Sequence, residues 1–294
     1  MGMGLKVIDM NLYPTAVSDP VEQILHSHIL ATNAWAWDER ARTGKKHTRT
    51  VLPKDLRNPL PILDPEGWFE GSVMGKKVLC LAAGGGLQSA LFAAAGAKVT
   101  VVDISGEMLE LDGQTAARHG LKVTLVQASM DHLPTLPDGG FEIVLQPVST
   151  CYVPDIGAVY REVARVSAPG GIYVSQHKQP ASLQAGALPN GEFYSIGSPY
   201  QRRTPLPPID YDTEHREAGT FEFIHTWEQI LGLLCRSGFV IEDLREPDLA
   251  KPTAKLGEFG HRCGYLPPYV KLKARRRDRL AQAAEPIVCG LTLC

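Results

Sequence analysis

The segment Val78 to Ser89, VLCLAAGGGLQS, constrains this chain more than any other, because an apolar run of strand character opens into successive glycines and then a helix-forming stretch. Glycines let the backbone turn sharply and let a ligand approach the main chain closely. The helix behind them presents unpaired N–H groups and the positive end of its dipole to polar or anionic atoms. Asp103 closes a second strand-like run 17 residues beyond Gly86. An acid about 20 positions past such a turn is suited to a ribose diol. The segment reads as a nucleoside-binding βαβ unit, and the glycines alone leave a dinucleotide ligand open.

The surrounding pattern alternates strand and helix. Strands are predicted at 77–83, 98–104, 123–128, 141–146 and 171–176, and helices at 87–95, 105–119 and 156–167. Such alternation implies parallel strands joined by crossovers, an open α/β sheet whose ligands sit at the carboxyl ends of its strands. Residues 1–71 form a predicted N-terminal helical arm or lid, with one helix over 19–42 followed by a proline-rich loop. The main domain is predicted over 72–270, with a long surface excursion over 180–219, and 271–294 as a basic tail. A further strand is expected at Thr220–His225, a helix capped by Thr226, and a strand in FVIEDLREP.

Taken in order, VLCLAAGGG, VTVVDISGEML, VQASMDHLPTLPDGGFEIVLQ, REVARVSAPGGIYVS and TWEQILGLLCRSGFVIEDLREP resemble the class I S-adenosylmethionine-dependent methyltransferases. The closest likeness is to a bacterial small-molecule-type subgroup with a VLCLAxGGG loop. The resemblance spans about residues 33 to 270, and its RVSAPGG segment argues against the dinucleotide reading. It implies a Rossmann-like sheet with helices on both faces, carrying the arm and inserted and C-terminal cap segments, with S-adenosylmethionine as cofactor. Ala82, Gly84 and Gly86 would give backbone contacts, Gln88 would reach the methionine carboxylate, and Asp103 the ribose. Ile104 and Met108 would pack on the adenine, with Ser129 and Met130 near its polar edge and Gln146 on the same rim. Cys80 stands where the wider family carries an acid, so another acceptor must hold the methionine amino group; alternatively the thiol is a buried apolar side chain. Ala82 stands where relatives have glycine, which for an alanine predicts a negative φ.

A sulfonium methyl is already activated, so the protein has chiefly to hold the acceptor in line and exclude water. A base matters when the acceptor must lose a proton. Candidates are Tyr152 and Asp155, which with Pro147 and Ser149 follow the fourth strand, together with His177 and His225. Asp155 equally fits an N-cap and each histidine a structural hydrogen-bonding role; Trp35 and Trp37 fit a core anchor or an aromatic wall.

Net charge is −2, so no broad basic face marks a nucleic-acid partner. Lys271–Arg279 reads as a solvated helix face, and only this run with Arg202 and Arg203 offers a basic groove. The six cysteines lack metal-ligand or disulfide spacing, and no apolar stretch reaches membrane-spanning length. The expectation is a cytoplasmic monomer or homodimer acting on a small molecule, with no metal, membrane or nucleic-acid partner. An RNA or protein methyltransferase, a cofactor-binding protein without transfer, and a fold repurposed for another sulfonium reaction are the alternatives.

Overall fold

The computed structural model describes residues 20–277. Cys289, Cys294 and the tail from residue 278 onward lie outside them. Seven strands form one sheet: β1 (Lys77–Leu81), β2 (Lys98–Asp103), β3 (Val123–Gln127), β4 (Phe141–Gln146), β5 (Ser167–Lys178), β6 (Phe239–Arg245) and β7 (Tyr269–Arg276). Their order is β3-β2-β1-β4-β5-β7-β6. The first five run parallel, and β7 enters antiparallel between β5 and β6. The helices are α1 (Pro20–Arg42), α2 (Leu60–Leu63), α3 (Gln88–Ala94), α4 (Gly106–His119), α5 (Ile156–Val166), α6 (Pro180–Gln184), α7 (Leu233–Arg236) and α8 (Phe259–Cys263).

Successive side chains of a strand point to opposite faces, and both faces of this sheet are buried. Leu79, Leu81, Val144, Tyr173 and Leu272 pack with Ile156, Tyr160 and Val163 of α5 and Leu234 of α7. Val78, Cys80, Val101, Ile143 and Ile172 pack on the other face with Phe92 of α3, Leu109 of α4 and Trp68 and Phe69 from the loop before β1. Each such large side chain taken from water contributes about 1.5–3 kcal/mol.

The arm is fixed to this framework by polar contacts. Ser105 caps α4 by accepting from Met108 N at 3.1 Å, and its hydroxyl donates to Asp38 of α1 at 2.6 Å. Asp38 also accepts from Glu107 N at 3.1 Å, so a carboxylate of the arm sits at the positive end of α4. Asn33 donates to the Tyr152 carbonyl at 2.8 Å and accepts from Phe221 N at 2.7 Å. Arg40 pairs with Asp212 at 2.8 Å, tying α1 to the long excursion.

Three elements differ from expectation. Lys271–Arg276 is part of β7 rather than a helix face or tail: Val270, Leu272 and Ala274 are fully buried, while Lys271, Lys273 and Arg275 pair with Glu66, Glu242 and Glu70. Thr220–His225 lies outside the sheet, held by Phe223 N donating to the Cys151 carbonyl at 2.7 Å. The helix after Thr226 opens with a π-helical turn over Glu228–Gly232 before α7. Among the described residues no helix is long and apolar enough to cross a membrane.

Candidate functional site

A cavity of about 740 Å³ opens at the carboxyl ends of β1, β2, β4 and β5, beneath the arm. Its first half is local to the glycine turn. Ala82, Gly84, Gln88, Asp103, Ile104 and Met108 line it, with Ser129 and Met130 across from them. Gly84 N donates to Asp103 Oδ2 at 2.9 Å and Ser105 N to Oδ1 at 3.0 Å. A carboxylate has about four lone-pair sites, so Asp103 retains acceptor capacity toward the cavity beyond its amide donors. Burial raises its pKa, with the Ser105, Gly84 and Ile104 amides opposing.

The turn is close-packed as well as sharp. A Cβ on Gly84 would lie 2.7 Å from Met108 Cβ, and one on Gly86, at φ +77°, 2.6 Å from Thr115 Oγ1. Gly86 thus packs the turn against α4 and does not line the cavity. Ala82 is corrected: its φ is +48°, not negative, because its N–H must continue the ladder to the Val102 carbonyl at 2.8 Å while the chain bends away. A left-handed alanine is strained by about 1 kcal/mol. Ala82→Gly is therefore expected to raise stability by up to about 1 kcal/mol in urea unfolding, and a loss of more than that would contradict the strain.

Cys80 and Gln146 are also relocated. Cys80 points into the α3/α4 face of the core, fully buried, where burial and Asp112 push its thiol well up. Gln146 lies behind the cavity wall, donating to Ser149 Oγ at 2.9 Å and accepting from Tyr173 OH at 2.5 Å. A buried acid on α4 supports the turn from behind the cavity. Asp112, buried, accepts Gly85 N at 2.7 Å and the Ser89 hydroxyl, so it grips the turn from below. Burial raises its pKa to about 6.

The second half of the cavity is assembled from distant segments: His47 and Trp37 of the arm region, Tyr152, Gln176 and Lys178 of the rim, and Glu217 from the excursion. Tyr152 OH donates to Glu217 Oε2 at 2.5 Å, and Lys178 Nζ donates to the same oxygen at 2.8 Å and to Glu222 Oε2 at 2.9 Å. Arg216 completes the network on Glu222 at 3.2 Å. Burial opposes ionisation of Glu217, but Lys178 and Tyr152 hold it below the usual carboxylate value. His47 Nε2 lies 3.9 Å from Glu217 Oε1, and burial lowers its pKa.

Of the four catalytic candidates only Tyr152 reaches the cavity, and its proton is committed to Glu217. Asp155 caps α5 through Gly157 N at 2.8 Å and pairs with Arg161 at the surface. His177 is buried between Thr150 Oγ1 and Ser175 Oγ, 2.8 Å from each. His225 Nε2 donates to the Thr150 carbonyl at 2.9 Å. These three residues stand outside the cavity wall. Trp37 joins the wall edge-on to Tyr152, whereas Trp35 is exposed.

Residues 79–175 match a family of methyltransferase domains. The chain is 36% identical over 237 residues to a protein of Bacillus subtilis (strain 168) named as the uncharacterized methyltransferase YbaJ, spanning 74% of this chain and 90% of that protein. It is 32% identical over 138 residues to a ubiquinone biosynthesis O-methyltransferase of Bordetella bronchiseptica, covering 45% of this chain and 57% of that one. An S-adenosylmethionine dependent methyltransferase structure from Mesorhizobium loti superposes with a TM-score of 0.57 at 24% identity, over 75% of this chain and all of that chain.

Proposed function

We propose a methyl transfer to a small molecule because the chain belongs to the class I S-adenosylmethionine-dependent methyltransferase family. Asp103 carries the cofactor half of the reading: its carboxylate closes β2, lines the cavity and keeps acceptor capacity for a diol. The glycine turn fits the same group, since its packing on Met108 and Asp103 leaves main chain rather than side chain at the wall. When bound, the cofactor supplies a methyl on a sulfonium, activated without further help from the protein. Asp103 would take the ribose hydroxyls, Ile104 and Met108 the adenine faces, Ser129 and Met130 its edge, and Gln88 the methionine carboxylate.

The acceptor is read as small because α1, the loop bearing His47 and the excursion bearing Glu217 together roof the cavity. Its volume also falls within the roughly 300–1,000 Å³ of small-ligand clefts. A polyanionic acceptor is less well served, as the cations of β7 are engaged by Glu66, Glu70 and Glu242. Titration calorimetry with S-adenosylmethionine and S-adenosylhomocysteine tests the cofactor reading. Asp103→Ala is expected to weaken binding by about 1–3 kcal/mol, the cost of leaving ligand hydroxyls unpaired. An unchanged dissociation constant in this variant rejects the ribose role.

A further inference from the structure

The acceptor half of the cavity holds one carboxylate oxygen with nothing bound to it at hydrogen-bonding distance. Tyr152 and Lys178 both donate to Glu217 Oε2, while Oε1 has only His47 Nε2, at 3.9 Å, beyond direct bonding. Glu217 is nine-tenths buried and lines the cavity. His47 is held over the same space in a left-handed conformation, φ +71°, a geometry rare for a residue with a side chain and concentrated at functional sites. Its turn is pinned by Thr48, whose hydroxyl donates to the Lys45 carbonyl at 2.6 Å. Its own carbonyl would lie 3.5 Å from a Cβ on Gly85, so His47 spans the glycine turn and Glu217.

We propose that Glu217 and His47 form the acceptor subsite and that it takes a neutral phenolic or enolic hydroxyl, whose single proton is donated to His47 while Glu217 Oε1 stabilises the imidazolium so formed. This rests on the methyltransferase reading above. The donor leaves with the S–C electron pair and the new O–C bond uses a lone pair of the hydroxyl oxygen, so only the hydroxyl proton needs placing. His47 can accept it, becoming an imidazolium beside the Glu217 carboxylate, and its half-exposed ring returns the proton to solvent.

Charge and shape select the acceptor class. Lys178 and Arg216 balance Glu217 and Glu222 within the network, and Lys45 and Lys46 at the cavity wall pair with Asp212 and Glu214, so the wall carries no excess of negative charge to favour a cationic amine. An aliphatic alcohol is a far weaker acid than a phenol or an enol, whose acidity lies closer to the range of an imidazole base. Trp37, Tyr152 and Tyr269 supply aromatic wall. Burial disfavours the charged form of His47, Glu217 favours it, and Lys46, Arg40 and Lys178 act with burial, so that its pKa lies below the ordinary histidine value.

The test uses the full chain loaded with S-adenosylhomocysteine and titrated with phenol or phenyltrimethylammonium, by calorimetry and by NMR of labelled histidines. Phenol is expected to bind saturably and shift the His47 resonances, with phenyltrimethylammonium binding at least tenfold more weakly. Glu217→Gln should lower the rate of phenol methylation at least tenfold and move the His47 titration to lower pH, with the S-adenosylhomocysteine constant within twofold. His47→Asn, which tolerates the left-handed backbone, should keep phenol binding but lose the limb over which phenol methylation falls as pH drops below the ordinary histidine range. Stronger binding of the ammonium probe, no phenol binding by the loaded wild type, or an unmoved His47 signal overturns the subsite. Failure to bind S-adenosylhomocysteine would instead overturn the methyltransferase reading itself.

Discussion

Lys178→Met is expected to lower the unfolding free energy by about 3–5 kcal/mol, the range found when one partner of a buried ion pair is removed. The side chains of Lys178, Glu217 and Glu222 are 2%, 7% and 0% exposed. Burial alone would pull the ammonium pKa down, yet the facing carboxylates of Glu222 and Glu217 hold it above the ordinary lysine value. The ammonium also lies 5.4 Å from the centre of the Tyr152 ring. Without it, two buried carboxylates would be left with Arg216, the Tyr152 hydroxyl and the Glu217 backbone N–H as donors and a single cation between them. One of them would then take a proton at neutral pH. A carboxyl whose folded pKa is raised regains stability as pH falls, so the deficit should shrink between pH 7 and pH 5. Lys178→Arg keeps the charge and should recover part of the loss, as should adding Glu222→Gln to Lys178→Met. Urea midpoints decide the matter: a loss below about 1 kcal/mol would mean the pairs contribute no more than surface ones.

This network also marks where sequence reasoning stops. The half of the cavity at the glycine turn was legible because it is local: one strand, one turn and one helix place Ala82 to Gln88, and the next strand delivers Asp103. The other half joins His47, Tyr152, Lys178 and Glu217, four residues from separate segments with no spacing rule between them. Asp112 did leave a signal, a lone acid at helical spacing among Met108, Leu109, Thr115 and Ala116 on the buried face of α4.

His177 was misplaced by ending the fifth strand at 176. The strand continues to Lys178, and its period of two turns Gln176 and Lys178 to the cavity and His177 away from it. Parity also explains β7. Lys271, Lys273 and Arg275 were read as a charged run, yet they alternate with Val270, Leu272 and Ala274. Charge density masked a strand whose cations each meet a neighbouring glutamate.

Acid should weaken the fold through the histidines that line the back of this wall. His177 is pushed down to about 3 by burial and by His225, and His215 to about 3 by burial and the nearby Arg262. His225 is lowered in the same sense by burial. A folded pKa below the unfolded value near 6.5 means the unfolded chain binds the extra proton, so stability is present above about pH 6.5 and lost as pH falls toward 3. Each fully shifted histidine costs about 1.4 kcal/mol per pH unit in that window. Asp112 acts oppositely: with its folded pKa raised to about 6, the native state takes up its proton first and gains stability on acidification. His177→Gln is therefore expected to flatten the slope of unfolding free energy between pH 6 and pH 4 by about 1.4 kcal/mol per unit, whatever its effect at pH 7. Asp112→Asn should steepen the same slope by a similar amount. Urea titrations at pH 7, 6, 5 and 4 separate the two, and an unaltered slope in His177→Gln would mean that this ring is already charged in the native protein. Protonating His177 disturbs Thr150, whose carbonyl also holds His225 and which adjoins Ser149 and Tyr152 of the cavity wall. Acid should accordingly loosen the acceptor half before the glycine turn, whose support by Asp112 is strengthened against unfolding over the same range.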